Sequence, residues 1–120
     1  MKHIHTIVGL GVFGSTIALE LSRLGHDVIG IDLNANLVSD IADKITQAVI
    51  ADARDEKVLR DLGVHECDGV VIAIGEDIEA NILATLIVKN MPKPKVWAKA
   101  PNPNHHKILE KLAGDNIVQS

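Results

Sequence analysis

The stretch Gly9-Leu10-Gly11-Val12-Phe13-Gly14 has residue types and spacing that point to a definite chemistry. Glycines placed where a helix begins leave backbone N–H groups free to face an anion, and the helix dipole adds partial positive charge there. Each glycine in this spacing has its own task. Gly9 permits a tight turn out of a strand, Gly11 lets the backbone approach a pyrophosphate, and Gly14 lets the helix lie close to the sheet. Asp32 stands 18 residues beyond Gly14, with Leu33 beside it. A carboxylate at that distance, on the tip of the next strand, accepts hydrogen bonds from ribose hydroxyls.

Glycines also punctuate ordinary turns, so the motif gains weight only from its surroundings. Here it follows the apolar run Ile4 to Val8, opens an amphipathic segment, and leads to a second apolar run closed by Asp32. That context is the one a dinucleotide-binding βαβ unit requires. The negative charge of Asp32 would repel a 2′-phosphate, which favours NAD(H) or an adenosine nucleotide over NADP(H). The competing explanation is a structural glycine turn with Asp32 as a solvated loop residue.

Ligands of such sheets bind at the carboxyl ends of the strands. Two further strand ends therefore belong to the candidate site. Asp52-Ala53 is expected to flank an adenine, with Asp52 reaching its amino group or else remaining a solvated turn residue. Ala73-Ile74-Gly75 is expected to line the pocket with small side chains and backbone.

Other chemistry finds less support. The six histidines include His3 and His5 along the first strand and the adjacent pair His105-His106. Neither pair has the i, i+4 spacing of a helical metal site, and no metal site is expected. Ser15 and Ser22 lie outside any GxSxG elbow, so no nucleophilic serine and no other catalytic residue is assigned. Glu76 and Asp77 read as carboxylates favoured at a helix start. Cys67 is the single cysteine, which excludes an internal disulfide and reads as a small buried thiol in a reducing compartment.

The elements that must position these residues follow from the hydrophobic periodicity. Short β runs alternate with longer amphipathic segments, the pattern of an α/β domain. Strands are predicted at Ile4 to Val8, Val28 to Ile31, Thr46 to Ile50, Asp68 to Ile74, Lys95 to Lys99 and Asn116 to Val118. Helices are predicted from about Phe13 to Leu24, Asn34 to Ile41, Asp55 to Leu62 and Asp77 to Lys89. A fifth is predicted from Pro101 and Pro103 to about Leu112. Six strands and five helices with short loops fit a doubly wound parallel sheet, the Rossmann fold, in the order 3-2-1-4-5-6.

The 120 residues suit one domain, expected to span 1–120 without room for a separate substrate domain. The composition is 47% hydrophobic and 23% charged, so a packed core is affordable and disorder is not indicated. Phe13 and Trp97 are the only aromatics, which leaves an aliphatic core suited to a sheet buried on both faces. With 12 Lys and Arg against 16 Asp and Glu, the formal net charge of −4 argues against a nucleic-acid footprint. No apolar run approaches the ~20 residues of a membrane helix, and no signal peptide is visible.

Several of these stretches together resemble one family. Ile7-Val8-Gly9-Leu10-Gly11-Val12-Phe13-Gly14, Leu24-Gly25-His26-Asp27-Val28, Ile31-Asp32, Ala48 to Ala53, Val71 to Gly75, Val96-Trp97-Ala98-Lys99-Ala100 and His105 to Lys111 resemble the N-terminal nucleotide-binding domain of the RCK/KTN regulators. These serve bacterial potassium channels and transporters of the Ktr and Trk type. The resemblance covers essentially the whole chain.

It implies a cytoplasmic switch, held at the membrane through a transporter subunit. Such a domain binds NAD(H) or ATP/ADP, forms a homodimer or larger ring, and gates an integral-membrane potassium pore through ligand-dependent shape change. By position, Gly9 to Gly14 would hold phosphates, Asp32 the ribose, and Asp52, Ala53, Ala73, Ile74 and Gly75 the adenosine end. Lys99 would reach a phosphate. Ktr-type members often carry an Arg where this chain has Val12, so ATP is less favoured here and NAD(H) or a diphosphate more so. The family usually continues into a linking helix and a C-terminal ligand domain, which is expected to be absent from these 120 residues. The rival reading is the cofactor domain of an NAD-dependent oxidoreductase.

Overall fold

In the computed structural model of the protein, residues 3–100 and 117–119 are described. The chain runs β1 (Ile4–Val8), α1 (Val12–Arg23), β2 (Asp27–Asp32), α2 (Ala35–Ile41), β3 (Gln47–Ile50) and α3 (Glu56–Asp61). A short 3₁₀ turn, Val64–Glu66, follows, and then come β4 (Gly69–Ile72), α4 (Ile78–Lys89), β5 (Lys95–Ala100) and β6 (Ile117–Gln119). The six strands form one sheet in the order β3-β2-β1-β4-β5-β6. All five pairings are parallel, as the expected doubly wound arrangement requires. The helix expected from Pro101 to Leu112, and with it His105-His106, lies outside the described residues.

Alternate residues of each central strand point to opposite faces, and both faces are covered. Ile7, Val28 and Val71 pack with Leu10, Ala18 and Ile41 under α1 and α2. Val8, Ile31, Val70 and Ile72 pack with Leu59, Ala84 and Val88 under α3 and α4. Burying each Val, Ile or Leu stabilises by about 1.5–3 kcal/mol, so a mainly aliphatic sandwich fixes the strand register, with Phe13 and Trp97 packed against the first of these cores.

Helix starts follow local capping chemistry. Asn34 caps α2 by accepting from the N–H groups of Asn36 and Leu37, and Asp55 caps α3 through Lys57 and Val58. Asp77 caps α4 through Ala80. Cys67 is buried against Thr6, whose hydroxyl lies 3.0 Å from its sulfur, and burial pushes the thiol's pKa up.

β4 ends at Ile72, two residues short of the expected Ile74. Its neighbour β1 stops at Val8, where Gly9 turns away with φ +99° and donates its N–H to Ile31 O at 2.8 Å. Ala73 keeps one last bond, N–H to Val8 O at 2.6 Å, and beyond it β1 offers no further partner. The two strands part at the carboxyl edge, and the gap between them is the crevice described next.

Candidate functional site

The crevice is a cavity of about 460 Å³ at the carboxyl ends of the strands. It straddles the point where the strand order reverses between β1 and β4, the usual ligand position in such sheets. A volume of that size suits a nucleotide-sized ligand.

Three glycines shape the loop between β1 and α1. Gly9 occupies left-handed backbone space, and a Cβ there would lie 2.7 Å from Ala73 O. At Gly14 a Cβ would come within 1.8 Å of Gly9 O, so the first turn of α1 rests directly on the loop. Gly11 differs: nothing lies within 4 Å of its would-be Cβ. Gly11 lines the cavity. Gly11 is also the N-cap of α1 and supplies no side-chain cap. The first amides of α1 are thus without a capping side chain at the edge of the cavity.

Asp32 ties the loop to the neighbouring strand. One carboxylate oxygen accepts the Leu10 N–H at 2.7 Å, and the other accepts the Asn34 N–H at 2.8 Å. Each oxygen keeps a further lone pair for a ligand hydroxyl. The same carboxylate therefore lines the cavity, braces the glycine loop and orders the entry to α2.

Asp52 and Ala53 line the cavity at the end of β3. The Asp52 carboxylate is already engaged, however. Oδ1 accepts from the N–H and Nε of Arg54 at 2.9 and 3.0 Å, and Oδ2 accepts from Nη2 at 3.0 Å. Those bonds, the guanidinium first and the backbone N–H second, hold the Asp52 carboxyl below the usual carboxylate range. The expected contact of Asp52 with an adenine amino group must compete with this fork.

Ala73, Ile74 and Gly75 form the opposite wall. Asn81, fully buried on α4, donates through Nδ2 to Ile74 O at 2.6 Å and to Lys99 O at 3.2 Å. It holds the tips beyond β4 and at β5 together. Lys99 then reaches across: its Nζ lies 5.3 Å from the centre of the Phe13 ring, and a Cβ on Gly75 would sit 3.2 Å from it. Gly75 makes room for the ammonium, which sits beside the glycine loop.

The structure brings the sequence-derived residues together at this cavity with two exceptions. Leu10 is buried in the core at 2% exposure and contributes only its backbone N–H, and Gly14 supports the loop from beneath. Val12 is 89% exposed at the cavity's edge and brings no charge. Sequence reasoning missed Arg54 and Asn81. Arg54 carried a readable signal, an Asp-x-Arg pair just past a strand end. Asn81 stood out only as an amide among the aliphatics of α4.

Among the described residues, no three His, Cys, Asp or Glu groups are arranged to hold a metal ion. No helix there is long and apolar enough to cross a membrane. The side chains can bind phosphate, ribose and base, and among the described residues the cavity's charged groups are four carboxylates (Asp32, Asp52, Glu76, Asp77) and two cations (Arg54, Lys99).

Comparison with known proteins agrees with this geometry. A family model described as the TrkA-N domain matches residues 5–120. The Ktr system potassium uptake protein A of Bacillus subtilis (strain 168) is 44% identical over 112 residues, covering 93% of this chain and 50% of that protein. The Ktr system potassium uptake protein C of the same organism is 42% identical over 118 residues, covering 98% and 53%. The chain thus spans about half the length of these relatives. Among solved structures, the GsuK channel bound to NAD matches with a TM-score of 0.82 at 17% identity, over 98% of this chain and 21% of that one. At that identity the likeness shows the fold.

Proposed function

The chain belongs to the TrkA-N domain family, and from that membership we propose that it is the regulatory nucleotide-binding domain of a potassium-uptake system. NAD(H) is the favoured ligand and ATP/ADP the second choice. The observation that carries this reading is the cavity at the β1–β4 switch point, where the uncapped start of α1, Asp32 and Lys99 converge.

Each group has a place in the binding. Phosphates lie against the amides of the Gly9–Gly14 loop, where Gly11 leaves room, and Lys99 supplies a countercharge. The ribose hydroxyls bond to Asp32, with Leu33 alongside. The adenosine end extends toward Asp52-Ala53 and Ala73-Ile74-Gly75. Val12 offers no charge-assisted contact, so a pyrophosphate suits the loop better than a triphosphate.

Regulation then follows from how Asp32 is held. A ribose bonded to that carboxylate acts on the same oxygens that hold Leu10 N–H and Asn34 N–H. Ligand occupancy is thereby linked to the loop and to α2. We read residues 1–120 as one such domain, working in the cytoplasm as a homodimer or larger ring on an integral-membrane potassium transporter or channel subunit. The names of the relatives, potassium uptake proteins, support that partner, and GsuK with NAD supports the ligand.

No catalytic role is assigned. Calorimetric titration with NAD⁺, NADH, ATP and ADP tests the proposal, with NAD(H) or ADP expected to bind more tightly than ATP. Absence of binding tighter than about 1 mM for all four would refute the site. Turnover of hydroxy acids or aldehydes with NAD would instead establish the oxidoreductase alternative.

A further inference from the structure

Among the described residues lining the cavity, one carries an aromatic ring, Phe13, and one a guanidinium that can stack as a ring does, Arg54. Phe13 belongs to the glycine loop and already has the Lys99 ammonium over its ring. Arg54 stands at the end of β3, on the far side of β1 and β2 from Lys99. Its guanidinium is gripped by Asp52 through two parallel bonds, Nε to Oδ1 and Nη2 to Oδ2, both 3.0 Å. A bidentate fork of this kind fixes the plane of the guanidinium as well as its position. Asp77 and Glu79, at the start of α4, add a weaker attraction at longer range.

This arrangement has no structural need that explains it. The pair lies at the surface, with the Arg54 and Asp52 side chains 41% and 37% exposed, and an exposed ion pair adds little stability. What it does provide is a flat cation held rigid at the one end of the cavity that lacks an aromatic ring. Guanidinium planes stack on aromatic faces and on nucleobases.

We infer that Arg54 is the base-binding residue of the site: its guanidinium, held in plane by Asp52, forms the platform on which the nucleotide's aromatic base stacks. Asp52 is then a positioning residue that acts through Arg54. The inference rests on the nucleotide reading above and assigns its base-binding end. It differs from a phosphate role for Arg54, in which the guanidinium would contribute to pyrophosphate and ADP binding alike.

Two variants separate these roles. Arg54→Lys keeps the charge and loses the plane, and Arg54→Ala loses both. Affinities for ADP and for inorganic pyrophosphate are measured by calorimetry on the natural chain and on each variant. Stacking predicts that both variants lose about tenfold in ADP affinity while pyrophosphate affinity stays within about twofold. An Arg54→Lys variant that binds ADP as the natural chain does overturns the inference. So does an Arg54→Ala variant that weakens both ligands alike, since that is the signature of a phosphate contact. If the natural chain binds none of NAD⁺, NADH, ATP and ADP, the nucleotide reading falls, and this failure is distinct from either variant result; if ADP alone fails, NADH takes its place in the comparison. Thermal midpoints of both variants are expected to match the natural chain, because the exposed side chain packs against little.

Discussion

Asp32 holds two backbone amides, Leu10 N–H and Asn34 N–H, in addition to facing the cavity. Removing its carboxylate should therefore do more than remove a ribose contact. Asp32→Ala is expected to weaken NAD(H) binding by about 1–3 kcal/mol, the cost of leaving hydrogen-bonding groups unpaired. Calorimetry measures it, and unchanged affinity would place the ribose elsewhere. The glycines allow a sharper contrast. Gly14→Ala drives a Cβ to within 1.8 Å of Gly9 O and should destabilise the fold by about 1–3 kcal/mol or more. Gly11→Ala meets no atom within 4 Å, so it should leave the denaturation midpoint nearly unchanged. It should nonetheless weaken the nucleotide, because the new methyl occupies the space that a pyrophosphate needs. Equal effects of the two substitutions on stability would contradict this division of labour.

At the scale of elements, α4 governs the wall of the cavity through one buried side chain. Asn81 spans Ile74 O and Lys99 O, and the Thr85 hydroxyl in turn donates to Asn81 O at 2.7 Å. Asn81→Ala deletes the donor without adding bulk. It is expected to cost about 1–3 kcal/mol by leaving two carbonyls short of a partner, with nucleotide affinity falling as the tips separate. Urea denaturation and calorimetry check the two effects, and a variant of natural stability would show that the tips hold without the amide. Boundaries of most elements were legible in the sequence because caps are local: Asn34 and the stop at Gly25 each declare themselves within a few residues. The end of β4 was not legible. Val70-Val71-Ile72-Ala73-Ile74 reads as one apolar run, and where it stops depends on β1 turning away at Gly9, a partner more than 60 residues distant.

The whole molecule carries a second set of titratable groups at the amino ends of the strands. The rings of His3, His5 and His26 lie within 5.5–6.1 Å of one another, and Asp68 is 3.7 Å from His3. Burial first, then repulsion from His26 and His3, lowers the pKa of His5 below its ordinary 6.5, against a smaller opposing pull from Asp68. The unfolded chain therefore binds the proton more readily than the folded one. The contribution is fully present above 6.5 and is lost as pH falls through the lowered folded value. Thermal midpoints should decline from about pH 7.5 to about pH 5, and His5→Gln should flatten that decline. A slope unchanged by His5→Gln would assign the effect to other groups. Asp68, held low mainly by the Ile4 N–H, acts only at more acidic pH, so the two are separable.

By itself the sequence determined the doubly wound sheet, its order and the glycine loop with Asp32, because periodicity, capping and glycine spacing are properties of neighbouring residues. It also placed Asp52, the Ala73–Gly75 stretch and Lys99 at strand ends. What each of those groups is bonded to was decided only by the tertiary structure. Asp52 is taken up by Arg54, Asp32 is shared with the loop it faces, and Asn81 joins two strand tips from a helix. Hydrogen bonds between separate elements depend on how the helices pack across the sheet, and that packing is set by the summed burial of both cores. A linear pattern can show which residues arrive at the carboxyl edge, whereas the partners they meet there are fixed by the fold.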